Sequence, residues 1–259
     1  GIGAERQGGA IAVADLGRLM LDGAAFSENE ANGSEGQGGY GGAVVVLDGA
    51  EATLRRGILR NNVARLGGAI AISGTLLLEN STLTANQALR GAAVFSVGQG
   101  RMVSSTVARN LVSTVEGETG GAAGVELDRG ATLITANSII ALGEGGADCQ
   151  GALNSLGYNL SGDSSCGING TGDQRDVDPG LLALADNGGS TLSMDLLPGS
   201  SAVDGGDPAG CKDLSGNAVL AVDQRGAKRP VDGNGDGTVR CDIGAVEHGP
   251  MALPSATPS

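Results

Sequence analysis

Tryptophan is absent from this chain of 259 residues, and phenylalanine and tyrosine occur twice each. Large aromatics usually fill a broad globular core, so their scarcity excludes one. The hydrophobic share still reaches 40%, carried by Ala, Val, Leu and Ile. That excludes a disordered glycine-rich polymer and predicts a narrow core of small and branched side chains. Histidine occurs once, as His248. The cysteines form no CxxC pair and none sits near it, which argues against zinc.

Basic residues are few, 16 Lys and Arg against 29 Asp and Glu, for a net charge of -13. A nucleic-acid backbone is bound by bringing cations to phosphates, so no nucleic-acid partner is expected. An acidic surface suits a soluble extracellular protein that binds divalent cations, and equally serves simple solubility. No apolar run approaches the roughly 20 residues that cross a bilayer, so no membrane span is expected in this chain. The opening "GIGAERQGGAIAVADL" has neither a basic leader nor an apolar signal region and begins in mid-pattern. It reads as a mature or excised fragment, which leaves an extracellular location open.

What the chain has in excess is glycine, 48 residues, and much of it recurs in one motif. The segments "QGGAIAV" (7–13), "YGGAVVV" (40–46), "LGGAIAI" (66–72) and "RGAAVFS" (90–96) each give a small-residue corner followed by a short apolar strand, with a weaker fifth copy in "GGAAGVEL" (120–127). A second landmark follows each of the first four corners: Asn29, Asn62, Asn86 and Asn110. The last three are spaced by 24 residues and the first interval is 33, so insertions bulge from one place in the repeat, and "NEANGSEGQGGY" is the obvious one. A 24-residue period of β-branched and aliphatic runs leaves room for about three short strands with turns between them. Leucine-rich repeats want Leu at fixed offsets and a helical return, which "NSTLTANQ" supplies only in part.

The fold class expected is therefore all-β: a right-handed parallel β-helix of about 24 residues per regular coil, each coil roughly 4.8 Å above the last. Stacked inward asparagines then bond to the turn backbone and to the asparagine above. Regular coils are expected over 1–142, irregular coils and a C-terminal cap over 143–249, and a flexible tail over 250–259. A solenoid needs its open end covered against edge-to-edge pairing.

Cys149, Cys166, Cys211 and Cys241 all lie in the second half. Three connectivities are possible. The sequence-local one, Cys149 with Cys166 and Cys211 with Cys241, is favoured because each bond closes an irregular loop that lacks ladder support. Disulfides imply an oxidising compartment; buried free thiols are the alternative. In "VDGNGDGTVRCDIGAVE", Asp232, Asn234 and Asp236 occupy positions 1, 3 and 5 of an EF-hand-like frame, with Gly237 at the sharp turn and Thr238 offering a carbonyl. Hard oxygens at alternate positions of a tight loop converge on one Ca²⁺, so a structural calcium loop is expected. The frame departs from a full EF-hand, because position 12 is Ile243 and the nearest acid is Asp242. An Asx-rich turn is the competing reading.

The second half, in "GYNLSGD", "GTGDQRDVDPGLLALADNGGSTLSMDLLPGSSAVDGGD", "VDQRGAKRP" and "DGNGDGTVRCDIGAVE", following GGA-type coils, resembles the choice-of-anchor Q domain proteins of bacterial surfaces, which are related to the polymorphic outer-membrane-protein-like β-helix repeats. The resemblance covers nearly the whole chain. It implies a secreted or surface-displayed right-handed β-helix whose C-terminal segment precedes an anchoring signal. It also implies that Asp223, Gln224, Arg225 and Arg229 are cap residues forming an ion-pair lock. Ser201 stands where that family usually has a proline, and no anchor follows "MALPSATPS". The resemblance carries no established reaction.

Two functions compete. A structural or adhesive surface module would offer long flat ladders to glycans, to surface proteins or to other copies of itself. A carbohydrate-active enzyme, a polysaccharide lyase or glycoside hydrolase, is suggested by fold alone. A lyase would set an Arg or Lys base beside a calcium-binding acid cluster, and a hydrolase needs paired carboxylates at a defined separation. The coil acids Asp15, Asp22, Glu28, Asp48, Glu51 and Glu79 recur at no single coil position. Arg55, Arg56, Arg60 and Arg65 would have to gather near Asp48 and Glu51. Ice binding would need an outward Thr-x-Thr ladder, which does not repeat. The structural and adhesive reading leads, with no catalytic residue assigned.

Overall fold

A computed structural model of the chain describes residues 8–31, 39–128 and 130–249. Most of the expected bulge in "NEANGSEGQGGY" and the whole tail 250–259 lie outside the described residues. Among the described residues there is no helix.

One regular coil consists of Ile70–Ile72, Thr75–Glu79 and Thr82–Thr84. Branched side chains on short runs favour strand, and one left-handed residue at a corner turns the chain between runs. At the corner between the second and third strands that residue is Arg56, Asn80, Ser104 or Asn137 in successive coils, with φ between 46° and 50°. The GG corners use two glycines for two reasons. Gly67 has φ +70°, and a Cβ on Gly68 would lie 2.3 Å from the Ala92 carbonyl of the next coil.

Stacking the coils builds three parallel six-stranded sheets. The first face holds Ile11–Val13, Val44–Val46, Ile70–Ile72, Val94–Ser96, Val125–Leu127 and Cys149–Gln150. The second holds Arg18–Asp22, Glu51–Arg55, Thr75–Glu79, Gln99–Val103, Thr132–Ala136 and Asn154–Ser155. The third holds Ala25–Ser27, Ile58–Arg60, Thr82–Thr84, Thr106–Ala108, Ile139–Ala141 and Leu160–Ser161. The molecule is a parallel β-helix. Register holds from coil to coil, so Ile70 stacks on Val44 and Val94, and Leu83 on Leu59 and Val107. These inward rows merge with Ala52, Leu54, Leu76, Leu78 and Met102 into one narrow core.

Asn62, Asn86 and Asn110 are buried at the corner after the third face. Each amide Nδ2 donates to the Oδ1 of the next rung: Asn29 to Asn62 at 2.8 Å, Asn62 to Asn86 at 2.9 Å, Asn86 to Asn110 at 2.9 Å. Each backbone N–H in the row donates to the same oxygen. A serine ladder that the sequence reading did not anticipate runs at the other corner of the third face. There the Ser81 N–H donates to Ser105 Oγ and the Ser105 N–H to Ser138 Oγ.

The expected cap is two separate structures. Residues 166–174 form an irregular layer beneath the sixth coil: Leu153 N–H donates to the Cys166 carbonyl, Tyr158 N–H to Thr171, and Gln174 N–H to Asn159. The Cys149–Cys166 disulfide ties that layer to the coil, and Cys166 and Ile168 extend the core into it. The end of the stack is closed there. Residues 181–249, by contrast, are not stacked on the end. They run back along the outside of the third face as a lateral cover built on antiparallel bridges and joined internally by Cys211–Cys241. The reason is apolar: Ala108, Ile139, Ala141 and Leu160 point outward from the third sheet and pack under Leu181, Met194, Leu196, Ala202, Val203 and Ile243 as a second core.

Asn86→Ala removes a rung whose neighbours cannot reach water, leaving the Asn62 N–H and the Leu59 carbonyl without their partner. We expect a loss of about 3 kcal/mol in urea unfolding, against under about 1 kcal/mol for Gln87→Ala beside it.

Candidate functional site: a buried ion-pair lock and an open sheet face

The seam between cover and solenoid is polar at its centre. Arg229, with no exposed side-chain surface, pairs with the equally buried Glu247 at 2.7 Å. Its other nitrogens donate to Asn80 Oδ1 at 2.8 Å and to the carbonyls of Asp242 and Gly244 at 3.0 and 2.8 Å. A guanidinium whose donors are met on several sides has its desolvation cost offset in place. Glu247 also accepts the N–H of Val231 and of Asp242. Beside it Asp223 accepts Arg225 Nε at 2.8 Å, together with the N–H of Arg225, Ala227 and Glu247. Gln224 reaches across the seam, donating to the Gly57 carbonyl and accepting Thr82 Oγ1. Asp223, Gln224, Arg225 and Arg229 thus form a lock between the cover's own strands and the third face.

The lock holds an excess of acid. Burial, and then the charge of Glu247, push Asp242 up to about 7, and burial raises Glu247 as well. Asp242 Oδ1 accepts the Asp204 N–H at 2.7 Å, and Oδ2 accepts the His248 N–H. The His248 ring lies 3.3 Å from Asp195.

Asp242 lies at the base of the acidic loop, its Oδ1 3.5 Å from where a Cβ on Gly233 would sit. It is fully buried and engaged by amides of the cover, because it directly precedes Ile243, which enters the second core. Asp232, Asn234 and Asp236 do share one exposed loop. Asp232 accepts the N–H of Gly235 and Gly237, Asn234 that of Asp236, and Asp236 that of Thr238. These are Asx turns that order the loop by themselves. Asp232, Asn234, Asp236 and the Thr238 carbonyl by themselves offer four of the six to eight oxygens that Ca²⁺ takes. Among the described residues no group of three or more His, Cys, Asp or Glu side chains is gathered for a metal.

The arginines weighed for a catalytic face do not converge. Arg55 pairs with Glu79, Arg56 with Asp22 and Arg65 with Glu118. Arg90, which reasoning from sequence did not single out, spans Glu126 and Asp128 and lies 5.2 Å from the Phe95 ring. These pairs link neighbouring coils and loops.

The second face has an outer surface that the cover meets along only part of its width, at Glu79 and Arg101. Leu76, Leu78 and Leu133 point inward, so alternation sends Arg18, Glu51, Thr75, Gln99 and Thr132 outward in one register-matched row. That row is a flat polar strip, partly to fully exposed along its length.

No family model, curated protein or solved structure matches the chain. Its geometry presents a locked cover on one face and an open polar strip on the next.

The raised acids set the pH dependence. A carboxyl whose folded pKa lies above its unfolded value binds its proton more tightly in the native state, so its contribution is complete below about pH 4 and is lost as pH rises through about 7. We expect the melting temperature to fall between pH 5 and pH 8 by a few degrees, reflecting a few kcal/mol, and Asp242→Asn to flatten that slope in a calorimetric pH series.

Proposed function

We propose that the chain is an extracellular or cell-surface structural and adhesive module, of the kind displayed by bacteria, that binds extended glycans along its second face. The observation that carries this reading is the outward row Arg18, Glu51, Thr75, Gln99 and Thr132, held in register by parallel pairing. A linear polymer of hydroxyls is recognised by repeated donors and acceptors on a rigid flat surface, and this row supplies a guanidinium, a carboxylate, hydroxyls and an amide. The two disulfides support an oxidising compartment. The buried ion pairs around Arg225 and Arg229 agree with the ion-pair lock that the resemblance to choice-of-anchor Q domain proteins implies, although they fasten a lateral cover and not an end cap.

Incubation with a polysaccharide panel, followed by retention assays and mass spectrometry of the soluble sugars, tests the reading. Retention lost about tenfold in a Gln99→Ala, Thr132→Ala double variant with an unchanged melting curve supports binding at this face. Released oligosaccharides, absent with a boiled control, would replace the adhesive reading with the lyase or hydrolase one.

Calcium enters as a second proposal. The loop Asp232–Thr238 takes one Ca²⁺ with water completing its shell, in the millimolar range of extracellular modules. We expect about 1 mM Ca²⁺ to raise the melting temperature by about 2 °C, and Asp236→Ala or chelation to remove the rise. An unchanged melt leaves the loop a set of Asx turns.

A further inference from the structure

Three Asn-Gly pairs lie among the described residues: Asn169–Gly170, Asn187–Gly188 and Asn234–Gly235. Such a pair can close on itself, because glycine has no side chain to hinder its own backbone nitrogen from attacking the side-chain carbonyl of the preceding asparagine. In all three a carboxylate holds the nitrogen that would attack. Gly170 N–H donates to Asp173 at 2.6 Å, Gly188 N–H to Asp186 at 3.0 Å and Gly235 N–H to Asp232 at 2.7 Å.

The asparagine side chains separate the three. Asn187 is tied down through its Nδ2, which donates to the Ser193 carbonyl at 2.9 Å and to Ser193 Oγ at 3.2 Å. Gly170 is wedged against the sixth coil, where a Cβ on it would lie 2.7 Å from Ser155 Oγ and 2.8 Å from Gly157 N. Asn234 has neither restraint. It is exposed, its Nδ2 has no partner among the described residues, and no atom lies within 4 Å of a Cβ built on Gly235. Its Oδ1 accepts the Asp236 N–H at 2.8 Å. That bond folds the side chain back along its own main chain and sets a donor on the oxygen that gains charge when the carbonyl is attacked. The Asn234 N–H is meanwhile anchored on the buried Asp204 at 2.9 Å, so the backbone is held while the side chain reacts. Among the three, Asn234 alone has a carboxylate on the nucleophile and an amide donor on the electrophile.

We propose that Asn234 is a self-modifying residue, which the loop converts through a cyclic imide to aspartate and isoaspartate. The Gly235 nitrogen bonds to Asn234 Cγ, its proton passes to the Asp232 carboxylate, and Oδ1 carries the developing charge against the Asp236 N–H. The Cγ–Nδ2 bond then breaks, and the proton held by Asp232 leaves with that nitrogen as ammonia. Water opens the imide. Hydrolysis of the new bond to Cγ leaves aspartate, and hydrolysis of the old main-chain bond leaves isoaspartate, with the chain running through Cγ. Either product gives the loop a third carboxylate beside Asp232 and Asp236, so its charge records the age of the molecule. The rearrangement rests on neither the glycan nor the calcium reading.

Incubation of the whole chain Gly1–Ser259 at neutral pH, followed by peptide mass spectrometry, tests this, with circular dichroism as a check on folding. Asn234 is expected to exchange its amide for a carboxyl at least about tenfold faster than Asn169 and Asn187, and Asp232→Asn to slow it by about tenfold. A pH series separates a base from a scaffold. With Asp232 in place the rate is level from about pH 5 to pH 7, whereas in Asp232→Asn it rises about tenfold per pH unit as hydroxide takes over. Equal rates at the three asparagines overturn the proposal, as does a rate that Asp232→Asn leaves unchanged or a wild-type rate that follows hydroxide. Repeating the incubation in about 1 mM Ca²⁺ keeps the two readings of the loop apart, since Asp232 cannot serve a cation and the Gly235 N–H together. Slower exchange supports both, and an unaltered fast exchange removes the calcium reading while the rearrangement stands.

Discussion

Parallel stacking without slip governs this molecule. Once equivalent residues of successive coils must superpose at the strand spacing, a side chain is answerable first to the residue directly above and below it. An aromatic at an inward position would need room in every layer it touches, so the interior is filled by Val, Ile, Leu and Ala, and the few large rings lie at its margins. A polar residue at an inward corner is costly alone and stabilising as a column, because each rung satisfies its neighbour. Asn62 and Asn86 are buried on that basis, and so are Ser81 and Ser105.

A solenoid of this kind has three faces, and their fates follow from what each turns outward. The first face is roofed by its own corner loops, with Arg90 bridging Glu126 over Phe95. The third face carries Ile139, Leu160 and two alanines on its outer side and is covered by the chain's C-terminal third. The second face turns out threonines, a glutamine and charges beside Leu77 and Ile134, and keeps much of its width open. Cover and solenoid then meet across buried polar groups, where a half-satisfied network would be worse than none. Arg229 and Glu247 are tolerable there because each makes several hydrogen bonds, and the surplus carboxyl of Asp242 is accommodated through its proton affinity.

Much of the fold was legible in particular residues. The GGA corners and Asn62, Asn86 and Asn110 report one structural position read out once per coil, and the short aliphatic runs between them mark the strands. The serine ladder carried the same kind of signal, at intervals of 24 and then 33 residues, and was masked because Ser81, Ser105 and Ser138 look like ordinary turn residues. The burial of Asp242 was hidden for a related reason. Its distance along the chain from Asp236 suits a shared loop, but Ile243 next to it is drawn into the second core and takes the aspartate inside.

The sequence by itself determined the coil, its period, the width of its core and the columns of asparagine, since all of these are local patterns repeated through a structure that has nearly one-dimensional order. The tertiary structure alone decided where the irregular third of the chain goes, which acids are buried, and which face stays open. Those outcomes depend on contacts between segments more than a hundred residues apart, such as Arg229 with Asn80 and Gln224 with Thr82. No repeat encodes such contacts, and their energy comes from matching one outward apolar row to one particular partner.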